Sequence, residues 1–129
     1  MKTENMTERQ QANMQRVFDM PFSDLYPLYV TKVVKKNRSE AELREVISWL
    51  TGFSKNELHD SLTSGQSLSS FFASARMNSA AELITGTVCG VKVQEIENPL
   101  MRKIRYMDKL VDELAQGKSL EKIMRKPLS

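Results

Sequence analysis

The sequence predicts an all-α fold: a single compact multihelical domain of six to seven helices with a buried central helix. Three observations carry that expectation. Apolar residues recur at helical spacing along most of the chain, helix-capping residues stand immediately before those runs, and 129 residues suit one domain able to bury roughly two thirds of its unfolded surface.

Residues 1–22 contain Met6, Met14, Val17 and Phe18 in an otherwise polar stretch. That apolar content fixes neither a short amphipathic helix nor an arm ordered on contact, so residues 1–22 are assigned to an N-terminal extension and 23–129 to the helical domain. From there Leu25, Leu28, Tyr29 and Val33 share a helical face, with Asp24 ahead of them and Pro27 placed in the first turn. Lys35, Lys36 and Asn37 close that helix, since cations suit the negative end of the dipole and Asn tolerates the left-handed conformation.

Ser39-Glu40-Ala41-Glu42 is a capping box. Leu43, Val46, Ile47 and Leu50 follow on one face, and Gly52 stops the helix. A second box, Ser54-Lys55-Asn56-Glu57, comes at once, so two helices meet at a tight corner; Leu58 and Leu62 form the next apolar side and Gly65 ends it. Ser67 caps a short helix carrying Leu68, Phe71, Phe72 and Ala75.

The stretch Leu83 to Val93 reads two ways. Its β-branched residues suit a strand, whereas Ile84, Val88 and Val91 with Gly86 and Gly90 suit a buried helix approached closely by a neighbour. Because a lone strand without a partner elsewhere is unstable, a helix is expected. Asn98-Pro99 then starts a long helix, with Leu100, Ile104, Met107, Val111 and Leu114 on its inner face up to Gly117, and Ser119 opens a last short helix that Pro127 terminates.

Lys and Arg number 19 and Asp and Glu 16, a net charge of +3. The surplus has an address: Arg102, Lys103, Arg105, Lys109, Lys118, Lys122, Arg125 and Lys126 all fall in the last quarter. In the helix from Pro99 the bases crowd the positive N-terminal end and Asp112 and Glu113 the negative C-terminal end, each mismatch costing about 0.3–1 kcal/mol if unscreened. A compensating group outside the helix is therefore expected. Arg102, Arg105 and Lys109 form one stripe, read either as a surface for phosphates or an acidic partner, or as a solvated face paired with Glu95, Glu97 and Asp108.

One Cys, Cys89, and one His, His59, exclude an internal disulfide and a Cys and His zinc cage. Cys89, between Val88 and Gly90, is expected to be an inert small hydrophobe, and His59, beside Glu57 and Asp60, to be solvated. Gly86 to Lys92 is not a phosphate loop: three residues separate its glycines, and Val91 stands where the Lys belongs. Glu95, Glu97, Asp108 and Asp112 match no metal loop, so no metal and no cofactor are expected. No apolar run reaches the 18–20 residues or so of a membrane span, and Met1 to Met20 has no signal-peptide core. A cytoplasmic protein without membrane contact is the expectation.

The strings Leu25-Tyr-Pro-Leu-Tyr-Val-Thr-Lys32, Ile47-Ser-Trp-Leu-Thr-Gly-Phe53, Leu83 to Val93 and Asn98 to Leu114 resemble the bacterial family catalogued as domain of unknown function 2200. The resemblance covers about residues 24–126, leaves residues 1–21 outside, and implies a multihelical domain with buried central helices. It implies no activity and no site.

Function is therefore expected to be that of a non-enzymatic binding module, with Arg102, Arg105, Tyr106 and Lys109 as the binding candidates and an acidic protein or nucleic acid as partner. Two alternatives stand beside it. One is a small enzyme using carboxylates, Tyr106 and Arg105 in a cleft; the other is a homo-oligomeric structural unit using the Met-rich N-terminal arm.

Overall fold

The computed structural model describes residues 7–126, and within them the chain forms seven α-helices and one small hairpin. The helices are α1 (Glu8–Asp19), α2 (Phe22–Val34), α3 (Glu40–Thr51), α4 (Lys55–Thr63), α5 (Leu68–Ala73), α6 (Pro99–Ala115) and α7 (Leu120–Ile123), with strands β1 (Thr87–Val88) and β2 (Val91–Lys92) between α5 and α6. Met6 and Pro127 lie outside the described residues. The central helix is α6, which touches α1, α2, α3, α5, α7 and the hairpin.

The expected caps are all in place. Ser39, Ser54, Ser67, Asn98 and Ser119 each accept a backbone N–H of the first turn, and Ser39 and Ser54 complete their boxes through Glu42 and Glu57. Each such cap contributes about 0.5–2 kcal/mol. Residues 8–19 form a capped helix, and Val17, Phe18 and Met20 pack partly against the core.

Two elements depart from expectation. Helix α2 begins at Phe22, three residues earlier than the Leu25 pattern suggests, so Pro27 lies inside the helix rather than in its first turn. Burial draws the start forward: Phe22 is fully buried, stacked on Phe71 at 4.1 Å between centroids, and its N–H donates to Gln66 O at 2.9 Å. That contact outweighs the single helical hydrogen bond that Pro27 removes.

The stretch 83–93 is not a helix. It runs as a 3-10 turn over Ser79–Leu83, the two strands, and a second 3-10 turn over Val93–Glu95. The strand's partner is local: Thr87 pairs with Lys92 and Val88 with Val91 across Cys89 and Gly90. Both turn residues have positive φ, 52° and 80°, as a two-residue type I′ hairpin turn requires. Asn-Gly or Asp-Gly would have announced it; Cys-Gly does not.

The core is one cluster. Phe22, Phe71, Phe72, Leu43, Ile47 and Leu50 are among its largest fully buried side chains, and Ile104, Met107, Leu110, Val111 and Leu114 of α6 reach it from the other side.

Candidate functional site

Helix α6 is held in place at its C-terminal end by groups outside it. Arg38 donates from Nη1 to Leu114 O at 3.1 Å and Lys118 O at 2.8 Å, placing a cation on carbonyls at the C-terminal end. Glu42 holds that guanidinium at 2.9 Å, and the bond from Arg38, with the Ser39 N–H adding to it, lowers the Glu42 carboxyl to about 2. Glu113 is buried and paired with Arg125 at 2.8 Å and Lys118 at 3.3 Å. These are the external compensators that the acids at the C-terminal end of α6 require. Arg125 and Lys118 thus turn to Glu113.

The stripe itself is engaged with the protein. Arg102 Nε donates to Ile96 O at 2.7 Å, Arg105 Nη1 to Asp108 Oδ2 at 2.7 Å, and Lys109 Nζ to Thr87 O at 3.2 Å. Of the three acids expected to pair it, Asp108 alone does so; Glu95 bonds Lys92 instead. The φ of +112° explains Gly86, since other residues rarely adopt it, and the end of the Lys109 side chain lies over the same position. Arg105 and Lys109 thus seat the hairpin, through Cys89 Sγ and Thr87 O, while Arg102 holds the segment that follows it.

One residue along an α-helix turns the side chain by about 100°, so Arg105 and Tyr106, neighbours in sequence, open onto different clefts. The Arg105 cleft, of about 340 Å³, lies between α1, α2, α5, the hairpin and α6. Val17, Met20, Leu25, Leu28, Val88 and Ile104 give it apolar walls. Its polar groups are Tyr29, Lys32, Cys89, Arg105 and Asp108. Tyr29 donates its hydroxyl to Asp108 Oδ1. Burial, reinforced by that carboxylate, raises the Tyr29 hydroxyl well above its ordinary range, which keeps it a proton donor. Arg105 bridges Asp108 and the sulfur of Cys89, 3.5 Å away. Its Nε and Nη2 make no hydrogen bond among the described residues. Lys32 sits at the edge, 3.2 Å from Asp112.

Cys89 is exposed at the hairpin tip, contrary to the expectation of a buried hydrophobe: the turn that the chain makes there turns its side chain out of the apolar run. His59 is exposed on α4.

The second cleft, of about 270 Å³, lies where the start of α6 meets the 3-10 turn at Ser79–Leu83. Tyr106 lines it with Arg102 and Lys103, facing Glu82 and Glu97. Tyr106 meets neither Arg105 nor Asp108; the tyrosine that reaches Asp108 is Tyr29, 79 residues away in sequence. Local spacing carries no signal for that pairing, nor for Arg38 on the end of α6.

A larger groove of about 650 Å³ opens between α3 and α4. Its Glu42 is bound to Arg38, and its Arg44 to Glu40 and to the hydroxyl of Tyr26, whose ring it covers. Burial and the Glu40 bond raise that Tyr26 hydroxyl to about 12. Among the described residues no three His, Cys, Asp or Glu side chains gather where they could hold a metal ion, and no helix is long and apolar enough to cross a membrane.

Residues 16–125 match the family described as an uncharacterized protein conserved in bacteria, DUF2200. The match takes in the last turn of α1 as well as the segments that carry the resemblance. Among solved structures, the crystal structure of the uncharacterized protein SP1917 is 35% identical, with a TM-score of 0.81 over 85% of this chain and 91% of that one. No curated protein matches the chain.

Proposed function

We propose a non-enzymatic binding role for this chain, which belongs to the bacterial DUF2200 family: the Arg105 cleft takes an amphipathic carboxylate, an apolar tail ending in an anionic head. The observation that carries this reading is the convergence of apolar walls on a half-buried guanidinium with two uncommitted donor nitrogens. Arg favours carboxylates because its planar fork matches their two oxygens. Lys32 adds a second cation at the edge, itself paired with Asp112, so attraction for an anion rests on the open nitrogens of Arg105. A cleft of this size also sits at the small-molecule end of the range, near 300 Å³.

Two of the earlier readings lose support. A phosphate backbone needs several cations free on one face, whereas Arg105 and Arg102 open onto different clefts and Lys109 is held on Thr87 O. An enzyme needs a base within reach of an activated group, and in this cleft Asp108 accepts from both Tyr29 and Arg105.

Titration with octanoate, followed by methyl NMR, tests the proposal. Shifts are expected at Leu28, Val88 and Ile104, with binding about tenfold weaker for Arg105→Met and for neutral octanamide. Equal binding of octanamide, or shifts confined to the groove between α3 and α4, would overturn it. Salt-steep binding of duplex DNA that is lost in Arg102, Arg105 and Lys109 variants would restore the nucleic-acid reading instead.

A further inference from the structure

Tyr106 is nine-tenths buried, yet its hydroxyl makes no hydrogen bond among the described residues. No side-chain polar atom among those residues is both fully buried and without a partner, so this hydroxyl retains contact with solvent. Tyr106 lines the cleft at the start of α6, which is where that contact lies. A buried ring that presents a hydroxyl with no protein partner to a cleft offers a ligand a donor held in a fixed place.

The charges around it narrow the ligand. Arg102 and Lys103 stand with Tyr106 on α6, and Glu82 and Glu97 come from the opposing segments. Arg102 commits only Nε, to Ile96 O, and neither Lys103, Glu82 nor Glu97 forms an ion pair among the described residues. The end of the helix adds little: Pro99 has no N–H, the Met101 N–H goes to Asn98 Oδ1 and the Arg102 N–H to Asn98 O. Two cations and two carboxylates leave the cleft without net charge to favour a bare anion or a bare cation, but match a molecule that carries both charges. Met77, Ala81 and Pro99 supply an apolar side.

We infer that the Tyr106 cleft binds a small zwitterion, a free amino acid with an apolar side chain. Its carboxylate meets Arg102, Lys103 and the Tyr106 hydroxyl; its ammonium meets Glu82 and Glu97. The volume, about 270 Å³, lies below the range of drug-sized sites and fits a ligand of that size. The inference shares no side chain with the octanoate site, so either can fail alone.

The probe is L-leucine, titrated into the full chain and followed by the ring signals of Tyr106 and the backbone amides of 79–82 and 97–103. Binding is expected to shift both sets, to weaken about tenfold in Tyr106→Phe, and to be lost for N-acetyl-leucine and leucinamide, each of which lacks one charge. N-acetyl-leucine binding as well as leucine would replace the zwitterion site with a plain anion site. Unchanged affinity in Tyr106→Phe, or no shifts at millimolar leucine, would overturn the inference.

Discussion

The two flanks of α6 handle a buried tyrosine in opposite ways. On one flank Tyr29 gives its hydroxyl to Asp108, which also takes Nη1 of Arg105, so the tyrosine under that cleft is part of the fold and only the guanidinium keeps open donors. On the other, Tyr106 keeps its hydroxyl uncommitted beside charged groups that are largely unpaired. The first arrangement rigidifies and the second waits, although Arg105 and Tyr106 are adjacent in the chain. Burial alone does not distinguish structural from ligand-facing polar groups; whether each donor already has its acceptor does.

The comparison holds only if α6 is a fixed partition, so the largest effect should come from loosening its end. Arg125→Met leaves buried Glu113 with Lys118 alone and should cost about 3 kcal/mol in a urea unfolding curve, with both clefts weakened together. A cost under 1 kcal/mol would mean that the end of α6 is fixed by packing. Tyr29→Phe comes next: Asp108 loses one of its two donors, and about 1–2 kcal/mol should be lost.

Acid should act on the same partition through Arg38. Because the Glu42 carboxyl is lowered from its usual 4.5 to about 2, the stability it contributes is complete above pH 4.5 or so and drains away as pH falls toward 2. Thermal midpoints measured across that window should fall less steeply in Glu42→Gln, which keeps the capping box but not the charge; an unchanged slope would assign acid sensitivity elsewhere. The smallest effect sharpens the contrast most. Tyr106→Phe should change stability by less than about 0.5 kcal/mol, since no protein partner is lost, and a cost matching that of Tyr29→Phe would erase the distinction between the flanks.

How far these features could be read from the sequence follows from how local they are. Ser39, Ser54, Ser67, Asn98 and Ser119 cap helices through atoms three residues away, and a linear pattern records such bonds fully. The stripe of Arg102, Arg105 and Lys109 was also legible, but not its use, because Lys109 and Arg105 reach Thr87 O and Cys89 Sγ of a hairpin whose turn residues are unusual. Tyr29 meeting Asp108, and Arg38 meeting the end of α6, join residues nearly 80 apart. Only the packing of α2 and α3 against α6 creates those pairs, and no periodicity encodes them.

Cys89 gives the molecule a practical property of its own. It is the single thiol in 129 residues, it is exposed, and it stands at the tip of the hairpin 3.5 Å from Arg105. A maleimide fluorophore or nitroxide attached to the unmutated chain would land at one defined position on the rim of the Arg105 cleft. The protein thus carries its own labelling point, from which occupancy of that cleft can be followed by light or by electron resonance without engineering a cysteine.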